Sequence, residues 1–261
     1  MSQLPDDGCI FCGSSPRTRE HLWPDWLRRE LAIDESFPHR IEQEEDAIET
    51  RDVTFSTPPF KQTVKAVCGP CNNGWMSDIE AATKPILEQL IYARGRRLHR
   101  AEQRKLATWA LLKAIVFDHV HPNELTVAAE HRRYLHEHKQ PPVEGVWVRL
   151  ATYEASDVGH YAYQGIKLAR VGHPAPVEPT IYFATITLGA LVVQLSGSLL
   201  PEWSFAGVPY PPELNVAEIW PASASVEFDQ HNVMTHDTLI NFTKVLYNVV
   251  GRLSGGVPPP R

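Results

Sequence analysis

Hydrophobic and polar positions change period several times along the chain, and each change marks an element. Around Phe60 to Val67 apolar side chains (Phe60, Val64, Ala66) alternate with polar ones (Lys61, Thr63, Lys65), which predicts a half-buried strand. From Gly74 the period lengthens to that of a helix, with Trp75, Ile79 and Ala82 on one face and Ser77 as its cap. Asp78 and Glu80 then lie in the first turn, where the helix dipole favours negative charge, and Pro85 predicts a kink before Ile86, Leu87, Leu90 and Ile91 resume the pattern. Upstream, Trp23, Trp26, Leu27 and Leu31 share one face of a short helix.

Downstream, Ala101 to Val120 is a patterned helix in which Leu106, Trp109, Ala110, Lys113, Ala114 and Phe117 recur at helical spacing. A second helix is expected over Asn123 to Glu137. Strands follow at Val146 to Leu150, Tyr161 to Gln164, Thr180 to Leu188 and Leu191 to Leu195, where β-branched and aromatic residues dominate. Leu188-Gly189-Ala190-Leu191 predicts a tight turn or a bulge. Pro201 to Pro221 reads as loop, Asp237 to Leu253 as a closing helix on the sheet, and Gly255 to Arg261 as a frayed tail. The pattern predicts an α+β fold in two parts, residues 1–98 and residues 99–261, the second with a mainly antiparallel sheet and packed helices.

At 261 residues and 43% hydrophobic the chain can bury a substantial core. Its most apolar stretch, Ile181 to Leu195, is interrupted by threonines, Gly189 and Gln194, so no membrane span or membrane partner is expected. The first residues lack a basic start and an apolar stretch, which points to a reducing cytoplasm. A net charge of −6 removes any global electrostatic case for nucleic-acid binding and leaves only local patches.

The cysteines supply the candidate chemistry. All four fall in two C-x-x-C pairs, Cys9/Cys12 and Cys68/Cys71, the spacing of a structural zinc site with tetrahedral thiolate coordination. Closing the long interval between the pairs costs on the order of 1 kcal/mol more than closing a compact finger. Structural zinc contributes about 10–16 kcal/mol in small fingers, so the metal wins. Glu20-His21 lies between the pairs and Asn72 directly follows the last cysteine.

Taken together, Cys9, Cys12, Glu20, His21, Cys68, Cys71 and Asn72 resemble the motif of the HNH endonucleases, also called ββα-metal or His-Me finger nucleases. The likeness is to their zinc-bearing branch, which includes endonuclease VII, and it covers the first third of the chain. It implies an N-terminal ββα-metal module with a structural Zn²⁺ and a second, catalytic Mg²⁺ or Mn²⁺ on Glu20 and Asn72. His21 would be the general base in hydrolysis of a phosphodiester bond, with DNA as the expected nucleic acid. Two features depart from the pattern: Glu20 stands where many members have Asp, and the interval from His21 to Cys68 is long. The family's middle position is unassigned, with His39 a weak candidate.

Other readings stay open beside this one. Asn72 or Asn73 could cap the following helix. Arg17 and Arg19 could hold a phosphate or simply face solvent. Arg94, Arg96, Arg97 and Arg100 form the densest basic segment, either a nucleic-acid contact or a solvated linker. His131, His136 and His138 read as a polar helix face rather than a metal site. Glu42 to Asp52, acidic and poor in large apolar groups, is expected to be exposed with weak structure. Cutting two strands would call for two active sites, which leaves a homodimer open. The reading from a different class is a non-catalytic zinc-knuckle module that binds nucleic acid or protein.

Overall fold

A computed structural model describes residues 8–31, 38–41, 44–45, 49–50, 53–56, 62–120, 125–154, 160–167, 176, 178–222, 224–228, 233–235, 237–239, 241–242 and 246. It mixes helices with antiparallel sheets. Strand β1 (Arg17–His21) pairs antiparallel with β6 (Thr63–Cys68), and between them stand the short helix α1 (Asp25–Glu30) and four short strands. Trp23 and Leu27 are buried on the α1 side, as the apolar face predicts.

Most of the acidic excursion over 42–52 lies outside the described residues; within it β3 (Glu44–Glu45) pairs with β4 (Glu49–Thr50), and flanking it β2 (Pro38–Ile41) pairs with β5 (Val53–Ser56). The register sets Ile41 opposite Val53 and His39 opposite Phe55. His39 thus falls within a strand, and its side chain lies outside the described residues.

After β6 the chain turns directly into helix. Helix α2 (Gly69–Cys71) has Pro70 in its first turn, a wide turn spans Asn72–Met76, and α3 (Ser77–Leu90) continues. Two expectations are corrected here. Ser77 does not cap a new helix, since helical structure already begins at Gly69. Pro85 does not interrupt α3, and the irregularity sits instead at Gly74 (φ −99°, ψ −117°). Ile86, Leu87 and Leu90 are buried against the core, and that tertiary burial offsets the backbone bond Pro85 cannot make.

Helix α4 (Arg100–Asp118) is the central element, in contact with α3, with α5 (Ala129–His138) and with strands of the large sheet. Its side chains are buried from Leu106 to Asp118 on every face, beyond the one-sided burial its pattern predicts. Its N-terminus is closed by the Glu102 carboxylate, which accepts the His99 backbone N–H at 3.0 Å. The start of α5 is displaced from the expected Asn123 because the buried Asp118 carboxylate accepts the Thr126 and Val127 backbone N–H groups and holds them outside a helix.

The large sheet runs β12 (Ala217–Trp220), β8 (Val146–Tyr153), β11 (Leu191–Ser198), β10 (Ile181–Leu188) and β9 (His160–Ile166), with β14 (Val233–Met234) parallel to the far end of β8. The β10–β11 turn is the tight hairpin expected, with Leu188 opposite Leu191 and Gly189 at φ +53°. A Cβ at Gly189 would meet the Ile91 carbonyl oxygen at 2.5 Å, which adds a steric reason for glycine. The expected loop over 201–221 contains β12, whose Ile219 and Trp220 are buried.

Strands β8, β10 and β11 are buried on both faces. One face carries Val146, Val148 and Leu150 into a core that runs from Cys9 to Phe228 through α4. The other meets Phe205 and residues of the expected closing helix, where 237–239, 241–242 and 246 are helical and Leu239, Phe242 and Leu246 are buried. Between the two expected parts, β7 (Arg96–Leu98) pairs with β13 (Val226–Phe228) from the far end of the chain, a role the linker alternative does not provide. Among the described residues no helix is long and apolar enough to cross a membrane.

One consequence concerns acid stability. His131 is buried, with Nδ1 2.7 Å from the Tyr182 hydroxyl, and burial holds its pKa down at about 4. Unfolding returns it to an ordinary value near 6.5, so between these values the unfolded chain binds the extra proton and stability falls as pH drops. His131→Gln is expected to reduce the stability lost between pH 7 and pH 4.5 by about 2 kcal/mol. Urea unfolding of parent and variant at both pH values measures it, and equal losses would contradict the assignment.

Candidate functional site

Two groups of side chains meet where β1, β6 and the α2–α3 segment come together. The first is the cysteine cluster. Cys9 and Cys12 come from the tight turn before β1, closed by Cys9 N–H to the Ser14 carbonyl and Gly13 N–H to the Cys9 carbonyl, both at 2.8 Å. Cys68 ends β6 and Cys71 ends α2, so the two knuckles face each other across the β1–β6 ladder. All four sulfurs lie within 4.8 Å of one another, with Cys12 Sγ 3.5 Å from Cys68 Sγ and 3.6 Å from Cys71 Sγ. A tetrahedral ion with Zn–S bonds of about 2.3 Å sets sulfurs roughly 3.8 Å apart, so the cluster fits zinc.

Burial pushes the Cys68 and Cys71 thiols up, while Cys12, exposed and hydrogen-bonded by Ser14, is held down at about 6. A dication reverses that penalty, because a coordinated thiol is deprotonated outright. Phe11 and Trp75 close over the cluster edge to face at 4.8 Å, and the Lys139 ammonium lies 4.3 Å from the centre of the Trp75 ring.

The second group lines a polar recess of about 280 Å³ beside the cluster, where Arg19, Glu20, His21, Asn72, Asn73 and Glu80 converge. The ladder places Glu20 opposite Val64 and His21 opposite Thr63, with a bulge at Thr18/Arg19 just before them. Alternation along β1 buries Glu20 and exposes His21, yet both reach the recess at the strand's open end. The wide turn at Asn72–Met76 brings Asn72 to the same place, and irregular turns of this kind recur at functional sites.

Neither Asn72 nor Asn73 caps the helix with its side chain. Asn72 Nδ2 instead donates long bonds to Thr18 Oγ1 (3.4 Å) and the Arg19 carbonyl (3.3 Å), tying the helix start to β1. With the amide nitrogen so engaged, Asn72 has its carbonyl oxygen to offer a cation. A carboxylate oxygen from Glu20 and an amide oxygen from Asn72 are hard donors of the kind magnesium or manganese takes.

One charged residue that the periodicity alone leaves unassigned stands behind the recess, against Glu20 and Glu80 of its lining. Lys113 of α4 is fully buried, and its Nζ lies 2.5 Å from Glu80 Oε1, 3.4 Å from Glu20 Oε1 and 3.3 Å from the His21 carbonyl oxygen. A lysine on the apolar stripe of a helix is the signal that finds it, since a buried charge requires an opposite one nearby. Burial pushes the Glu20 carboxyl up, the Lys113 ammonium pulls it back, and Glu80 adds to the upward push.

The arginines divide. Arg19 is exposed at the recess, whereas Arg17 Nε donates to the Gly8 carbonyl at 2.6 Å. Arg96 binds Glu102 and Gln89, Arg97 lies 3.5 Å from Glu227, and Arg94 stacks on Tyr92. Arg100 is exposed. The three histidines of α5 go separate ways, to Tyr182, to Phe11 and Trp75, and to Tyr134. His131 is therefore a core group rather than part of a polar face, and among the described residues only the cysteines form a metal-ligating cluster of nitrogen, sulfur or carboxylate groups.

No family model matches the chain, and neither the curated proteins nor the solved structures contain a match to it.

Proposed function

We propose that the protein is a metal-dependent nuclease of the HNH type that hydrolyses phosphodiester bonds in DNA. The observation that carries the reading is the convergence of Glu20, His21 and Asn72 in one polar recess beside the four-cysteine cluster. In this reading the segment from β1 through β6 to α3 is a ββα-metal module, and Cys9, Cys12, Cys68 and Cys71 hold a closed, structural zinc. Zinc contributes folding energy and fixes the start of the helix relative to β1.

Glu20 and Asn72 would hold the catalytic Mg²⁺ or Mn²⁺. When bound, that ion supplies counter-charge to the phosphate and to the departing oxygen. His21, exposed at the end of β1, would take the proton from an attacking water. Arg19, at the same recess, can meet a phosphate oxygen with its planar fork of donors. The products would be a 5′-phosphate and a 3′-hydroxyl, as the family resemblance implies. The large sheet with its helices would select substrate or assemble a homodimer, and the four unpaired cysteines suit a reducing cytoplasm.

The test uses zinc-loaded protein with plasmid, single-stranded and branched DNA, in Mg²⁺, in Mn²⁺ and in chelator. Cutting that requires added divalent metal supports the reading. The commitment of Glu20 to Lys113 favours a second one, a zinc-knuckle module that binds nucleic acid or protein without cutting. Salt-sensitive DNA binding with no cleavage in either metal would decide for it.

A further inference from the structure

Lys113 belongs to α4, outside the segment that carries the nuclease-like motif, yet its ammonium lies 2.5 Å from Glu80 and 3.4 Å from Glu20, two residues that line the recess. Its ammonium is fully buried and meets three oxygens from two different elements: Glu80 of α3, and Glu20 and the His21 backbone of β1. Two carboxyl groups face one ammonium. A cation fixed between carboxylates does two things at once. It holds them in place, and it competes for their oxygens with any ion that enters.

We propose that Lys113 is the internal counter-charge of this site, a positioning residue that clamps Glu20 and the His21 backbone and, by holding Glu20 and Glu80 to itself, keeps the incoming divalent ion loosely bound. The inference rests on the metal-dependent reading of the recess given above. It assigns α4 a part in the site, and it gives a reason for a lysine at a fully buried position of that helix.

Opposite signs make the proposal testable. A purely structural ion pair, once broken, loosens the fold and weakens metal binding and turnover together. A competing internal cation, once removed, leaves two carboxylates for the entering ion, so binding tightens while the unclamped Glu20 and His21 slow the chemistry. Lys113→Met keeps the length and apolar stem of the side chain without its charge. Zinc-loaded Lys113→Met is expected to bind Mn²⁺ at least about tenfold more tightly than the parent, by the electron paramagnetic resonance signal of free Mn²⁺, because a unit charge removed a few ångströms away is worth at least that much.

Single-turnover cleavage by the same variant should fall by about tenfold or more. Glu80→Gln, which leaves Lys113 facing Glu20 alone, should weaken Mn²⁺ binding by about tenfold. Lys113→Met/Glu80→Gln should return it to within about threefold of the parent. Should Lys113→Met fail to fold, as its melting and zinc content would reveal, the Glu80→Gln and double-variant affinities carry the test, and parental affinity in Glu80→Gln would overturn it.

A folded Lys113→Met that binds Mn²⁺ no more tightly than the parent, or that cuts at the parental rate, also overturns the proposal. The affinities are read without DNA. A parent that cuts nothing while the affinities fall in the expected order would therefore sink the nuclease reading and leave the role of Lys113 standing.

Discussion

Cys68→Ser is expected to lose zinc and with it the folded arrangement of β1, β6 and α2. Cys68 closes the β1–β6 ladder opposite Arg17 and stands immediately before the first helical turn, so its sulfur joins three elements through one ion. Phe11, Ala66, Val67 and Met76 of those elements, with Trp75 against them, belong to the core that runs through α4. Structural zinc supplies about 10–16 kcal/mol in comparable small modules, against a whole-domain stability of about 5–15 kcal/mol. A serine hydroxyl is a much poorer ligand than a thiolate, so most of that contribution is lost. The variant should elute without stoichiometric zinc and show early melting. The same outcome should follow when the parent is treated with a strong chelator. Parental zinc content and melting in Cys68→Ser would mean that the four sulfurs do not act as one site.

His21→Ala should cut DNA about 10²–10⁴-fold more slowly than the parent while keeping its fold and its metals. His21 is exposed, its side chain adds nothing to the core, and the Lys113 contact is to its backbone oxygen, which alanine retains. Glu20→Gln should behave differently. It removes a carboxylate from both the recess and the Lys113 clamp, so Mn²⁺ binding and cutting should fall together. The contrast separates a group that moves a proton from one that holds an ion. Equal Mn²⁺ affinities in parent and Glu20→Gln would remove Glu20 from the metal site.

Much of this geometry is legible in the sequence because it is local. Two C-x-x-C pairs form knuckles whatever the chain does between them, and the alternation in β6 and the β-branched runs of β8, β10 and β11 report burial directly. What the pattern misses depends on partners far along the chain. Pro85 argues for a kink by its own chemistry, but burial of Ile86, Leu87 and Leu90 keeps α3 continuous. The charge of the basic run at Arg96 and Arg97 is offset nearby by Glu102 and, from the far end of the chain, by Glu227, which no local pattern reveals. Lys113 is placed correctly on a buried helix face by periodicity. Its function depends on Glu20, 93 positions earlier, and on Glu80, and no local pattern links them.

In the proposed reaction His21 activates water at a metal site built on Glu20 and Asn72. The most direct measurement is single-turnover cleavage of one DNA substrate by the parent and by His21→Ala, both zinc-loaded, at equal occupancy by Mn²⁺. Metal-dependent cutting by the parent and a loss of at least about a hundredfold in the variant are expected. Equal cutting by the two proteins would contradict that role of His21.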